Sequence, residues 1–287
     1  MPVRLVTDST AMLEPALAAV LGIAVVPLQV VIGPKVFDEG TEDARPEVVA
    51  QALRDFTPVS TSRPAPVVFA ETYRRLAEEG ATEVVSVHLS AEMSGTFESV
   101  QVAARDAGIR VVCVDTRQVG PAVGYAVRAA AAALEAGASA DEAAQAARDV
   151  AAGARSLFYV DTLEYLRRGG RIGAAAALLG SALAVKPLLG FEDGRVVPLE
   201  RVRTSTRALN RLEELAVAAA GEQQVDVTVA HLANPDRAAA LTERLSTRLA
   251  DGLAGRAVDC GELGAVLGAH VGPGMIAVCV APRPTIS

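Results

Sequence analysis

Tryptophan is absent from this 287-residue chain, and aromatic residues make up only 3% of it. Single-stranded nucleic acids are held largely by bases stacking on rings, so that kind of platform has almost nothing to be built from. Positive charge is also short: 27 Lys and Arg face 34 Asp and Glu, a net charge of −7. A basic footprint that would neutralise phosphates is missing, and no nucleic-acid partner is expected. Cysteine is limited to Cys113, Cys260 and Cys279. Their spacing is not that of a metal site, and they read as buried thiols in a reducing compartment. The uncharged, glycine-interrupted stretch Ile172–Val185 falls short of the ~20 residues a spanning helix needs, and no stable membrane insertion is expected. No signal-peptide pattern precedes the first apolar run, Val3–Val6, which leads to an expected cytoplasmic location. The phosphate-loop, dinucleotide and nucleophile-elbow patterns are missing too. The expectation is therefore no cofactor, no metal, and no self-sufficient kinase, dehydrogenase or metalloenzyme.

What the chain does hold is aliphatic. Apolar residues reach 51%, enough for a large core made of Ala, Val and Leu. Short β-branched runs alternate with amphipathic segments. The runs at Val3–Val6, Ile23–Val31, Val84–His88, Val111–Val114, Leu157–Val160, Val225–His231 and Met275–Val280 read as strands. Helical spacing covers Glu47–Asp55, Val67–Glu79, Thr96–Ala107, Gly120–Glu135, Ala140–Ala152, Thr206–Ala219 and Pro235–Ala250. Ser139-Ala140-Asp141-Glu142 is a capping box, and Asn234-Pro235 reads as a cap with a helix-starting proline. This alternation predicts an α/β fold with largely parallel sheets. The best break lies near Gly153–Ser156. It predicts two α/β lobes, residues 1–154 with a strict βαβα order and residues 155–287 with a polar hairpin-like segment at Glu192–Arg195.

Polar residues gather where these strands end. Leu89-Ser90-Ala91-Glu92-Met93-Ser94-Gly95-Thr96 follows a buried strand and opens a helix. Unpaired amides, hydroxyls and the helix dipole there suit an anion. Thr7-Asp8-Ser9-Thr10 closes the first strand, at the sheet edge where ligands bind in α/β folds; an Asx-turn explains it equally well. Ser60-Thr61-Ser62-Arg63-Pro64 precedes a helix and is richer in hydroxyls than a cap requires. Asp115-Thr116, with Gly120 and Gly124, reads more simply as a turn and a close helix contact. His270 sits among three glycines and a proline, on what reads as a rigid loop before a strand. His88 and His231 read as core histidines, each with one paired nitrogen. Arg167, Arg168 and Arg171 follow a helix that stops at glycine. They complement its dipole, or, with Lys186, Arg201, Arg203 and Arg207, receive a phosphate or an acidic partner.

Taken in order, Thr7–Thr10, Val25-Val26-Pro27-Leu28, Thr61–Pro64, Ser94-Gly95-Thr96, Tyr165–Ile172, Val185-Lys186-Pro187 and His270–Gly274 resemble the DegV family of bacterial fatty-acid-binding proteins, from Val3 to about Val280. The resemblance implies two α/β lobes with a tunnel between them that buries one long-chain fatty acid. It implies no catalytic residue in this chain. The carboxylate would be presented to a separate ATP-dependent fatty acid kinase subunit, whose acyl-phosphate feeds phospholipid synthesis. By this likeness Thr61, Ser62, Ser94, Gly95, Thr96 and His270 bind the ligand, with Thr61, Ser94 and His270 holding its carboxylate, and Arg171 and Arg203 serve phosphoryl contact or kinase docking. Asp8, Ser9 and Arg63 fall in the headgroup region, and Arg63 replaces a usually neutral residue. A monomer is expected. Two other readings stay open: an acyl ester or thioester hydrolase using Ser94, His270 and Asp8, and a phospho-ligand-binding regulatory module built on the arginines.

Overall fold

The computed structural model describes residues 3–179 and 186–283. Val185 of the Val185-Lys186-Pro187 motif lies outside the described residues. Seven strands form the first half: β1 (Val3–Asp8), β2 (Ile23–Val26), β3 (Gln29–Ile32), β4 (Lys35–Asp38), β5 (Val59–Ser62), β6 (Glu83–His88) and β7 (Arg110–Asp115). Four of them make a parallel sheet in the order β2-β1-β6-β7. The expected single strand Ile23–Val31 is two strands. Pro27 lacks an amide N–H and cannot continue the ladder, and the chain turns there into a second sheet, β4-β3-β5, which is antiparallel. The strict βαβα order expected for this half is therefore broken by a three-stranded insert. Ser60, Thr61 and Ser62 belong to its strand β5, and the helix that follows starts at Pro66, one residue before the expected Val67.

The second half forms one six-stranded sheet from β8 (Arg155–Tyr159), β9 (Lys186–Glu192), β10 (Arg195–Val202), β11 (Val225–His231), β12 (Asp259–Glu262) and β13 (Ile276–Pro282), in the order β10-β9-β8-β13-β11-β12. Only β11 and β12 pair in parallel, so the expectation of largely parallel sheets fails in this lobe. The hairpin expected at Glu192–Arg195 is present. Asp193 and Gly194 both take positive φ, 51° and 78°, the pairing that an Asp-Gly two-residue turn adopts to match strand twist.

Alanine governs the packing between layers. Helices Pro121–Glu135 and Ala140–Gly153 meet over Ala126, Ala130, Ala143 and Ala147 and cover the parallel sheet at Leu5, Val85 and Val87. Gly124 lies so close to the Ala11 carbonyl that a Cβ would stand 2.5 Å from its oxygen. The same helix pair packs Tyr125 and Ala129 against Cys279 and Ala281 of the other lobe. The second lobe has its own core, including Leu212, Leu241, Leu245, Val227, Ile276 and Val278. One element crosses over: helix Ala265–Val271 buries Ala265, Val266 and Ala269 against Leu28, Val30, Val49 and Leu53 of the first lobe. Among the described residues no helix is long and apolar enough to cross a membrane. The buried-thiol expectation holds for Cys279; Cys113 is half-buried and Cys260 is exposed.

Candidate functional site

Between the lobes lies a cavity of about 440 Å³, within the ~300–1,000 Å³ of ordinary small-molecule sites. Its walls are largely aliphatic and aromatic. Strands β8, β13 and β11 supply one face, because their antiparallel register sets Phe158, Ala277 and Ala230 side by side. Phe191, Val196 and Leu267 add to it, and Leu89 and Val119 come from the first lobe. Two residues further along the strands stand Ser156, Cys279 and Thr228. Ser156 donates to Gln118 Oε1 at 3.1 Å, and Thr228 shares a 2.6 Å hydrogen bond with the Tyr125 hydroxyl. Burial pushes the Cys279 thiol up to about 12, so it faces the cavity as a protonated, unreactive group.

Thr61, Ser62, Arg63, Ser94, Gly95, Arg171 and His270 line the same cavity. Thr61 and His270 lie 209 positions apart, and Thr61 Oγ1 meets His270 Nε2 at 2.8 Å. His270 is on the crossing helix, one residue before its end, and not on the loop that its neighbouring glycines suggested. The glycines act differently. Gly169 approaches so closely that a Cβ would stand 2.2 Å from His270 Nδ1, and at Gly272, whose φ is 77°, one would strike the Tyr165 ring. Burial, with the Arg171 charge adding to it, lowers the His270 pKa to about 4, and the ring is neutral at pH 7. Its Nδ1 is buried without a partner. Orphaned buried N–H groups are rarer than orphaned acceptors. The proton therefore belongs on Nε2, which donates to Thr61 Oγ1 and leaves the threonine proton for another acceptor.

Ser94 Oγ shares a hydrogen bond with Thr96 Oγ1 at 2.9 Å and accepts from the Thr96 amide at 3.3 Å. Thr96 is itself buried and stands behind Ser94, outside the lining. The amides here are less free than the sequence suggested, because Met93 and Ser94 both donate to the Ser90 carbonyl. The Arg171 guanidinium is pinned by the carbonyls of Met93, at 3.0 Å from Nε, and Gly169, at 2.6 Å. Arg63 bonds the Gly95 carbonyl at 3.0 Å and pairs with Glu98, so its charge is countered.

Other sequence candidates fall elsewhere. Asp8 is fully buried and saturated: it accepts from the Thr10 amide and hydroxyl, from the Leu89 amide at 3.2 Å, and meets His88 Nδ1 at 2.8 Å. His88 Nε2 meets Ser86 Oγ, which continues to the Tyr73 hydroxyl, so both nitrogens of this core histidine are paired. The Ser9 hydroxyl accepts from the Leu28 amide. Neither Asp8 nor Ser9 lines the cavity. The hydrolase set is consequently not assembled: Asp8 serves His88, His270 serves Thr61, and Ser94 serves Thr96. Arg203 is exposed beyond β10 and does not line the cavity either. Arg167 and Arg168 are taken up by Glu164, and Lys186 by Asp161. Among the described residues no cluster of His, Cys, Asp or Glu is arranged to hold a metal.

Fold and cavity together define a two-lobed α/β protein with a mostly apolar interlobe cavity that is polar at the Thr61–His270 contact. The model for "Uncharacterised protein, DegV family" matches residues 2–283, and the chain belongs to the DegV family. A DegV domain-containing protein of Streptomyces coelicolor is 55% identical over 281 residues, 98% of this chain and 99% of that one. Among solved structures, a fatty-acid-binding DegV family protein from Thermus thermophilus is 35% identical. It superposes with a TM-score of 0.91 and covers 99% of this chain and 100% of that one. DegV of Bacillus subtilis, described as a fatty acid binding protein, is 30% identical with a TM-score of 0.88, over 99% and 100% of the chains.

Proposed function

We propose that this protein binds a long-chain fatty acid between its lobes, residues 1–154 and 155–287, and presents the carboxylate to a separate ATP-dependent fatty acid kinase subunit. The observation that carries the reading is the composition of one cavity: aliphatic and aromatic along its walls, with hydroxyls and an imidazole gathered at Thr61, Ser94 and His270. Burying a methylene is worth ~0.8 kcal/mol, so a long acyl chain supplies on the order of 10 kcal/mol before association costs. The carboxylate must lose its water and needs donors in return. His270 Nε2–H polarises the Thr61 hydroxyl, whose proton then serves the carboxylate. Ser94 donates a second hydrogen bond once Thr96 donates to it. Because these donors are neutral, the carboxylate keeps the electron density needed to attack a γ-phosphate. Arg171, beside Ser94 and held by two carbonyls, is placed to meet the incoming phosphoryl group; Arg203 is assigned to kinase docking on the outer surface.

The test has two stages. Native mass spectrometry of the purified protein is expected to show one co-bound long-chain acid. Addition of a fatty acid kinase and ATP is then expected to yield acyl-phosphate from the loaded protein, and more slowly from Arg171→Ala. A protein that neither retains nor takes up such an acid refutes the binding claim. Loaded protein that yields no acyl-phosphate with any kinase subunit refutes the presentation claim alone.

A further inference from the structure

Strand β4 ends at Asp38, and the next residue, Glu39, donates its amide to the Leu28 carbonyl at 2.8 Å. Glu39 is thereby tied to the three-stranded sheet whose β5 carries Thr61. Its side chain crosses to the other lobe. Oε1 accepts the Val266 amide at 2.8 Å, in the first turn of the seven-residue helix that bears His270. Gly264, the residue that caps this helix, has no side chain for the task, and a Cβ there would stand 2.6 Å from Glu39 Oε1. The other oxygen, Oε2, is buried without a hydrogen-bond partner among the described residues. Burial raises the pKa of this carboxyl and Asp8 adds to the rise, while Ser9 and the Val266 amide oppose it.

A buried carboxylate is an expensive way to cap a helix. A Ser or Asp at the capping position would satisfy the same amide from within the helix. A cap supplied from the other lobe does something further: it fixes where the helix sits on the sheet. Val266 and His270 are four residues apart, ~6 Å along a helix axis. The sheet grips one end of this short helix through Glu39 and the other through Thr61.

We propose that Glu39 is a positioning residue for the polar end of the cavity, holding the Ala265–Val271 helix at the height that sets His270 against Thr61. Its effect on lipid rests on the fatty-acid reading above; its effect on His270 does not. The test is the titration of the His270 ring by NMR on the full chain, with the resonance assigned by its loss in His270→Gln. The wild-type midpoint is expected at about 4. In Glu39→Ala and in the shorter Glu39→Asp the helix is released and the midpoint moves up towards 6.5. In Glu39→Gln the amide oxygen still accepts from Val266, and the midpoint returns to the wild-type value. Palmitate affinity, read by displacement of a fluorescent analogue, follows the same order, falling at least tenfold in the Ala and Asp variants and less than threefold in Gln. An unmoved His270 midpoint in Glu39→Asp, or a Gln variant as damaged as Ala, overturns the proposal. Wild-type protein that does not bind palmitate sinks the fatty-acid reading, while the titration still decides the role of Glu39.

Discussion

Replacing Thr61 with valine removes one hydroxyl and almost no volume. Valine suits a strand as well as threonine does, so β5 keeps its pairing with Val30 of β3. Two hydrogen bonds disappear. The first is the one drawn from the threonine proton to the ligand carboxylate; bonds to charged groups contribute about 1.5–3 kcal/mol. The second is His270 Nε2 to Thr61 Oγ1, whose loss leaves both ring nitrogens without a partner, since Nδ1 has none already. In the loaded protein the first loss dominates, and it corresponds to a rise in Kd of roughly ten- to a hundred-fold. The assay is displacement of a fluorescent fatty acid at pH 7, with thermal melting of the empty protein in parallel to separate affinity from folding. A Thr61→Val protein that melts normally and binds within twofold of wild type would falsify the donor role assigned to this hydroxyl.

The pH dependence of stability has a defined sign. His270 titrates at about 4 when folded against an ordinary 6.5, so the unfolded chain takes up the proton first as pH falls. The stability carried by the neutral ring is complete above pH 6.5 and lost progressively towards pH 4, on the order of 3 kcal/mol in all. Urea unfolding between those limits is expected to show a shallower slope with pH in His270→Gln; an unchanged slope assigns the effect to other groups. Gly169→Ala drives a methyl into the imidazole, and overpacking of this kind costs about 1–3 kcal/mol. We expect a lower melting temperature and weaker lipid retention, and retention equal to wild type would contradict the close approach. With a thiol-specific reagent at pH 8, exposed Cys260 should react first, while Cys279 should stay silent until the protein is denatured. Rapid labelling of Cys279 in the native state would show that the cavity opens freely.

Sequence periodicity located the parallel sheet because each of its strands is a compact apolar run: β1, β6 and β7 are mostly buried or half-buried. The antiparallel insert escaped for the opposite reason. Strands β4 and β5 are short, largely exposed, and carry Lys35, Asp38, Ser60, Thr61 and Ser62, so neither hydrophobic run nor alternation marks them. Once β5 is misread as a pre-helix loop, the meeting of Thr61 with His270 has no geometric basis in the chain, and only family likeness linked the two. Glu39 was invisible on the same account, because its place depends on β4. At Asp8 the Asx-turn reading is the one that holds: its carboxylate accepts the Thr10 amide, and what is left of it is consumed by His88 and Leu89. The Asp193-Gly194 turn and the Ser139 capping box were legible because their chemistry is local.

The crossing helix also has a bearing on biosynthesis. The two halves of the Thr61–His270 contact are separated by 209 positions, and ribosomes add about 5–20 residues per second. A nascent chain thus carries its first strands for roughly ten to forty seconds before the imidazole emerges. During that interval the first lobe exposes the greasy surface that the helix later covers, at Leu28, Val30, Val49 and Leu53. A ribosome stalled before this helix leaves that surface bare, the kind of transiently exposed apolar face that favours aggregation.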